Sequence, residues 1–241
     1  MVCDLEPAVY HDEPMWRVGH APTPWRFTDW AYADTTGRFD GRWDDPDGSY
    51  RVLYASMSKR GAFVEALGDF RADPAVVAGL DEIVTDDADD DAELVAAPGH
   101  VPVSWSRGRV IGEATVAARC AQVGHSRSLA ALRQQLSRLV VRYHLEDLDA
   151  AAIRLRAPRA FTQHVSRFIY QCTDQDGAPQ FDGITYLSRF GDDLANVALF
   201  ELPDGHDLFA DAASAPISLD DPDLQAAMAH HGLSWFDDSA N

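Results

Sequence analysis

The chain has 241 residues, 46 % of them hydrophobic and six of them tryptophan, which suits one sizeable core and excludes a disordered chain. Its formal net charge of −19 excludes general nucleic-acid binding, which depends on neutralising phosphates, and disfavours an anionic membrane surface. No apolar run reaches the roughly 18 residues of a transmembrane helix, and Met1 to Glu6 lack the basic and apolar regions of a secretory signal, so the expected location is cytoplasmic.

The acid is mostly aspartate, 31 against 8 glutamates, and Lys59 is the single lysine. Arginine therefore supplies nearly all cationic chemistry, and an anionic ligand would need a local cluster of arginines in an acidic background. Cys3, Cys120 and Cys172 are odd in number and far apart, so they are expected to be buried or idle thiols rather than a disulfide framework. No Cys or His pair has metal-ligand spacing, and no metal is expected.

In chain order, residues 1–13 are acidic and unpatterned, a loose lead-in. Trp16 to Gly19 reads as a short strand, stopped by Pro22 and Pro24. Trp25, Phe27, Trp30 and Tyr32 form an aromatic cluster suited to core or lid packing. The turn-rich Asp44 to Gly48 leads into a strand at Tyr50 to Ala55, with Val52 and Tyr54 on one face and Leu53 and Ala55 on the other. Ser58 then caps a helix whose Phe63, Leu67 and Phe70 face inward at helical spacing. Glu65 points away from that stripe, and periodicity alone makes it an ordinary solvated glutamate.

The acid run at 81–93 has no glycine for a calcium-loop bend and reads as a solvated loop. Val101 to Trp105 and Arg109 to Val116 read as a hairpin around Ser106 to Gly108. Leu129, Leu132, Leu136, Leu139 and Tyr143 step by three and four, one amphipathic helix starting near Ser126 or Ser128. Helices follow at about Leu148 to Leu155 and Arg159 to Gln171, the latter with Phe161, Val165 and Phe168 inward. After a turn at Asp174 to Gly177 come strands at Phe181 to Ser188 and Ala195 to Glu201. Beyond Pro203 the chain turns polar, with a short helix at Leu224 to His230. No internal repeat or long linker divides it, so one α+β domain is expected.

The chain has no G-x-G-x-x-G, P-loop or G-x-S-x-G motif, which leaves arginine, tyrosine, glutamate and serine to carry any chemistry. Four segments stand in a telling order: Gly41-Arg42-Trp43-Asp44, Leu53-Tyr54-Ala55, Ala62-Phe63-Val64-Glu65 and Gly183-Ile184-Thr185-Tyr186-Leu187-Ser188-Arg189. Together with Trp16-Arg17-Val18 they resemble the RES domain, named for an arginine, a glutamate and a serine. The resemblance covers about Trp16 to Glu201 and defines a RES-like region at 14–202, with a helical insert at about 119–171 and a polar tail at 203–241.

This resemblance implies a split β core similar to that of ADP-ribosyltransferase toxins, with NAD as substrate rather than cofactor. It implies an NAD-degrading enzyme, by phosphorolysis or hydrolysis, and a toxin paired with an antitoxin protein. A homo-oligomer is also compatible with it. The roles it implies are Glu65, Arg42 and Ser188 in catalysis and Arg17, Tyr54, Arg38 and Arg189 in NAD binding. Arg38 enters because Gly37-Arg38-Phe39-Asp40 duplicates the Arg42 motif. The chain departs from the compact toxin form: 123 positions separate Glu65 from Ser188, and Asp44 stands where an asparagine is usual. The competing readings are an ADP-ribosyltransferase acting on a macromolecule and a non-catalytic NAD- or nucleotide-binding protein.

Overall fold

β1 (Pro7–His20) and β4 (Arg109–Gln122) run antiparallel along nearly their full lengths, from Pro7 opposite Ala121 to His20 opposite Arg109. They form the spine of the protein, described here from a computed structural model over residues 1–72, 99–203 and 207–238. Around this spine the sheet continues through β2 (Val52–Ser56), β6 (Gly191–Phe200) and β5 (Gly183–Ser188), and β5 returns to β4. The five strands thus close a barrel-like ring in the order β1-β2-β6-β5-β4, and β7 (Phe209–Pro216) extends it from β4. Closure between β1 and β2 rests on one register pair, Trp16 opposite Ser56, so the ring splays open there.

The β2 alternation follows the expected pattern. Val52 and Tyr54 face one apolar cluster with Trp43, while Leu53 and Ala55 face another with Met15. Ser58 caps α1 (Lys59–Leu67), accepting the Gly61 N–H at 3.0 Å. Phe63 and Leu67 are fully buried, each contributing about 1.5–3 kcal/mol by leaving water. Phe70 sits beyond the helix in a 3-10 turn and is only half-buried.

Several expectations are corrected. The hairpin around Ser106 is absent: β3 (His100–Pro102) pairs in parallel with the C-terminal β8 (Ser234–Phe236), and a short helical turn, α2 (Ser104–Arg107), precedes β4. The long amphipathic helix breaks at Leu136 into α3 (Ser126–Gln135) and α4 (Ser137–Arg142), although all five apolar positions still pack on one cluster. The insert continues through α5 (Ala150–Arg154) and α6 (Arg159–Tyr170). The region beyond 203 is no mere tail: besides β7 and β8 it supplies α7 (Pro222–His231), whose Leu224, Ala227 and Met228 bury against Phe63 and Leu67 of α1. The acid run at 81–93 lies outside the described residues.

The lead-in is also structural. Cys3 and Leu5 are buried, and Cys3 is disulfide-bonded to Cys172, just past the end of α6; Cys120 alone is a free buried thiol. Composition could not reveal a bridge between two cysteines 169 positions apart. Among the described residues no helix is long and apolar enough to cross a membrane. The Gln180 side chain reinforces the bridge, accepting from the Cys3 N–H at 2.8 Å and donating to the Cys3 carbonyl at 2.7 Å. Reduction is expected to lower stability by about 2–4 kcal/mol through the freed chain entropy, seen as a lower thermal midpoint with reductant. An unchanged midpoint would mean that the hydrogen bonds alone hold the strand.

Candidate active site

A cavity of about 420 Å³ opens where β1 and β2 splay apart. Its floor is one row of side chains in register across four strands: Trp16 on β1, Ser56 on β2, Asn196 on β6 and Tyr186 on β5. α1 supplies Glu65 to one wall, and the insert and the β5–β6 turn supply arginines to the others.

The loop that carries Arg42 is fixed from both sides. The Asp44 carboxylate accepts the Gly41 N–H and, at 3.0 Å, the Tyr54 hydroxyl, which in turn accepts the Trp43 N–H at 2.9 Å. A Cβ at position 41 would collide with the Asp44 carboxylate and the Tyr54 hydroxyl, both held by their own hydrogen bonds, so this turn favours glycine. From behind, α6 holds the loop: Gln163 donates to the Gly41 carbonyl at 3.0 Å, Ser166 to the Trp43 carbonyl at 2.6 Å, and Arg167 pairs with buried Asp45. The insert is therefore the scaffold of the arginine loop.

Arg42 lies with its guanidinium carbon 5.3 Å from the Trp43 ring centre and 5.5 Å from that of Tyr186, and it donates to the Ile153 carbonyl. Its Nε is buried without a partner. Burial is the main cause that lowers its pKa; Tyr186 and Glu65 oppose that shift and Arg189 adds to it. Arg17, on β1, reaches the same cavity with its Nε buried and unpartnered, and burial pushes its pKa down to about 10. Arg189 also lines the cavity, 4.4 Å over the Phe190 ring.

Glu65 keeps its outward position and becomes a cavity carboxylate, its Oε1 accepting from Asn196 Nδ2 at 2.9 Å. Tyr54 lines the wall, but its hydroxyl is committed to the Asp44 loop, and burial raises its pKa well above the usual tyrosine value. Two expected site residues are elsewhere. Ser188 is 1 % exposed and off the cavity wall; its Oγ accepts the Phe190 N–H at 3.0 Å and shapes the turn presenting Arg189 and Phe190. Arg38 is exposed in a turn closed by Asp34, also off the wall, which leaves Arg42 as the cavity arginine of the duplicated motif.

Other cavity residues escaped the sequence reading. The insert contributes Arg154, Arg156 and Arg159, each paired with a largely exposed aspartate at 2.7–3.4 Å. Such surface pairs contribute about 0–1 kcal/mol and leave the arginines able to exchange partners. Six arginines thus face the cavity against two carboxylates, Glu65 and Asp69, inside a chain of net charge −19. Phe190 completes the wall, its ring packed so tightly on Gly68 that a Cβ there would come within 2.6 Å. The His231 ring of α7 meets Phe190 edge-on at 4.7 Å while its Nε2 donates to the Val64 carbonyl, so the C-terminal helix supports the cavity wall. The available signals were the lone amide of Asn196 in an apolar strand and the spacing of Arg154, Arg156 and Arg159 around Pro158.

Residues 14–122 match the family model described as the RES domain. No curated protein matches the chain. Among solved structures, a chain of the crystal structure of the M. tuberculosis MbcT–MbcA toxin–antitoxin complex is similar at 11 % identity and a TM-score of 0.46, over 94 % of this chain and 92 % of that one.

Proposed function

We propose that the protein consumes NAD by cleaving the bond between nicotinamide and ribose, a reading supported by the match of residues 14–122 to the RES domain model. The observation that carries this reading is the cavity itself: six arginines crowd around one accessible glutamate whose carboxylate is held by a buried amide. An anionic ligand with a centre that becomes cationic during reaction fits that charge pattern. NAD meets both requirements through its pyrophosphate and its ribose. The cavity volume lies within the range of about 300–1,000 Å³ usual for small-molecule sites.

In the proposed reaction the C1′–N bond breaks with its electron pair leaving on nicotinamide, and the ribose becomes oxocarbenium-like. Glu65 stabilises that charge and holds a ribose hydroxyl. Arg17 and Arg42 grip the pyrophosphate with forked donors. The Trp16 and Phe190 rings offer flat surfaces to the bases. An oxygen of water or phosphate then bonds C1′, a water losing its proton to solvent. Nicotinamide is a good leaving group, so orientation and electrostatics suffice without an activated nucleophile. The likeness to ADP-ribosyltransferase toxins belongs to the same proposal, as does a toxin role restrained by an antitoxin partner.

The test is to incubate the purified protein with NAD, with and without phosphate, and measure nicotinamide. Release in both conditions is expected for hydrolysis, and release only with phosphate for phosphorolysis. Bound but intact NAD would leave a binding protein instead.

A further inference from the structure

We infer that Asn196 is a positioning residue for the proposed cleavage, fixing one oxygen of the Glu65 carboxylate so that the other is presented to the substrate ribose. The inference rests on the NAD-cleaving reading and concerns a residue that no family motif in this sequence singled out.

Asn196 sits within β6, 1 % exposed, and shares its sheet face with buried Leu194, Ala198 and Phe200. Asparagine is depleted in strands, and a valine would suit this face better. A buried amide is tolerated when its polar atoms are satisfied. Here only half of it is: Nδ2 donates to Glu65 Oε1 at 2.9 Å, while Oδ1 is buried without a partner. Sheet packing does not account for an amide left in that state. Nor does folding require the bond for the sake of Glu65, whose helix position is exposed and would be solvated without it. The bond holds a flexible glutamate side chain, anchored on α1, in one orientation over the floor row of Trp16, Ser56 and Tyr186. Pre-set orientation lowers a barrier without strengthening ground-state binding. The amide therefore acts through Glu65 rather than on the substrate itself.

The test compares wild type with Asn196→Ala, Asn196→Val and the near-isosteric Asn196→Asp, each alone and in a Glu65→Gln background. Nicotinamide release and thermal unfolding are read for all. The expected result is a kcat reduced by roughly 10²-fold with KM changed less than about threefold. The thermal midpoint of Asn196→Val should equal or exceed that of wild type. In the Glu65→Gln background the residual rate should fall by no more than about twofold on adding Asn196→Ala, because the two residues act as one unit. An unchanged kcat in an active, folded variant overturns the inference alone. So does the same fold-loss in both backgrounds, which would mark Asn196 as acting independently of Glu65. A wild type that releases no nicotinamide overturns the cleavage reading and this inference with it.

Discussion

Glu65→Gln is expected to lower nicotinamide release by about 10³-fold while leaving NAD binding and the fold intact. The substitution keeps the shape of the side chain and the hydrogen-bonding partner of Asn196 Nδ2, since an amide oxygen can accept the bond that the carboxylate accepts now. It removes only the negative charge. That charge has little value in the ground state, where NAD brings its own anionic pyrophosphate, and much value when the ribose turns cationic. The loss should therefore fall on kcat rather than KM. Because Glu65 is exposed on α1 and makes no ion pair among the described residues, its removal should change stability by less than about 0.5 kcal/mol. Single-turnover nicotinamide release and calorimetric NAD titration separate the two effects. A Glu65→Gln protein with full kcat would show that the carboxylate is not where charge develops.

Glu65 lines the cavity and Ser188 does not, and the difference shows what a sequence carries. The turn, strand and helix from Gly41 to Leu67 were legible because local rules act there: Gly41 at a tight loop, alternation in β2, and a serine cap on α1. An outward glutamate is written the same way whether it faces water or a cleft, and only the fold brings Asn196 beneath it. Ser188 shares a motif with Arg189, but it ends β5 at a register shift and accepts the Phe190 N–H of the following turn, while Arg189 in that turn lines the cavity. The insert arginines were illegible for a different reason. They act on a cavity built by strands outside their own segment, and no local period marks that. The Cys3–Cys172 bridge and the parallel pairing of β3 with β8 are likewise long-range facts, joined only when the ring has closed.

Arg17→Met is expected to raise the thermal midpoint and weaken NAD binding by about 10–100-fold, the loss of charge-assisted hydrogen bonds worth roughly 1.5–3 kcal/mol. Two arginines of this protein show why the signs differ. Arg51 is paired with Glu201, and that hydrogen-bonded partner raises its pKa, so the native state welcomes its charge. Arg17 is half-buried with its Nε out of water, no ion pair involves it among the described residues, and desolvation alone pushes its pKa down to about 10. Its folded pKa thus lies below its unfolded one, so the native state disfavours the charged form. That penalty is present in full below about pH 10 and fades as pH rises through and above that value. At neutral pH, then, replacing the guanidinium by an apolar chain of similar length should stabilise the free protein, as replacing buried charges often does. A destabilising charge facing a cavity makes sense when an anion completes it. Inorganic pyrophosphate should accordingly raise the thermal midpoint of the wild type more than that of Arg17→Met, since only the wild type gains the missing counter-ion. Equal shifts in both proteins, or a lowered midpoint for Arg17→Met with unchanged NAD affinity, would make Arg17 a packing residue of β1 and leave Arg42 to carry the phosphate contact without it.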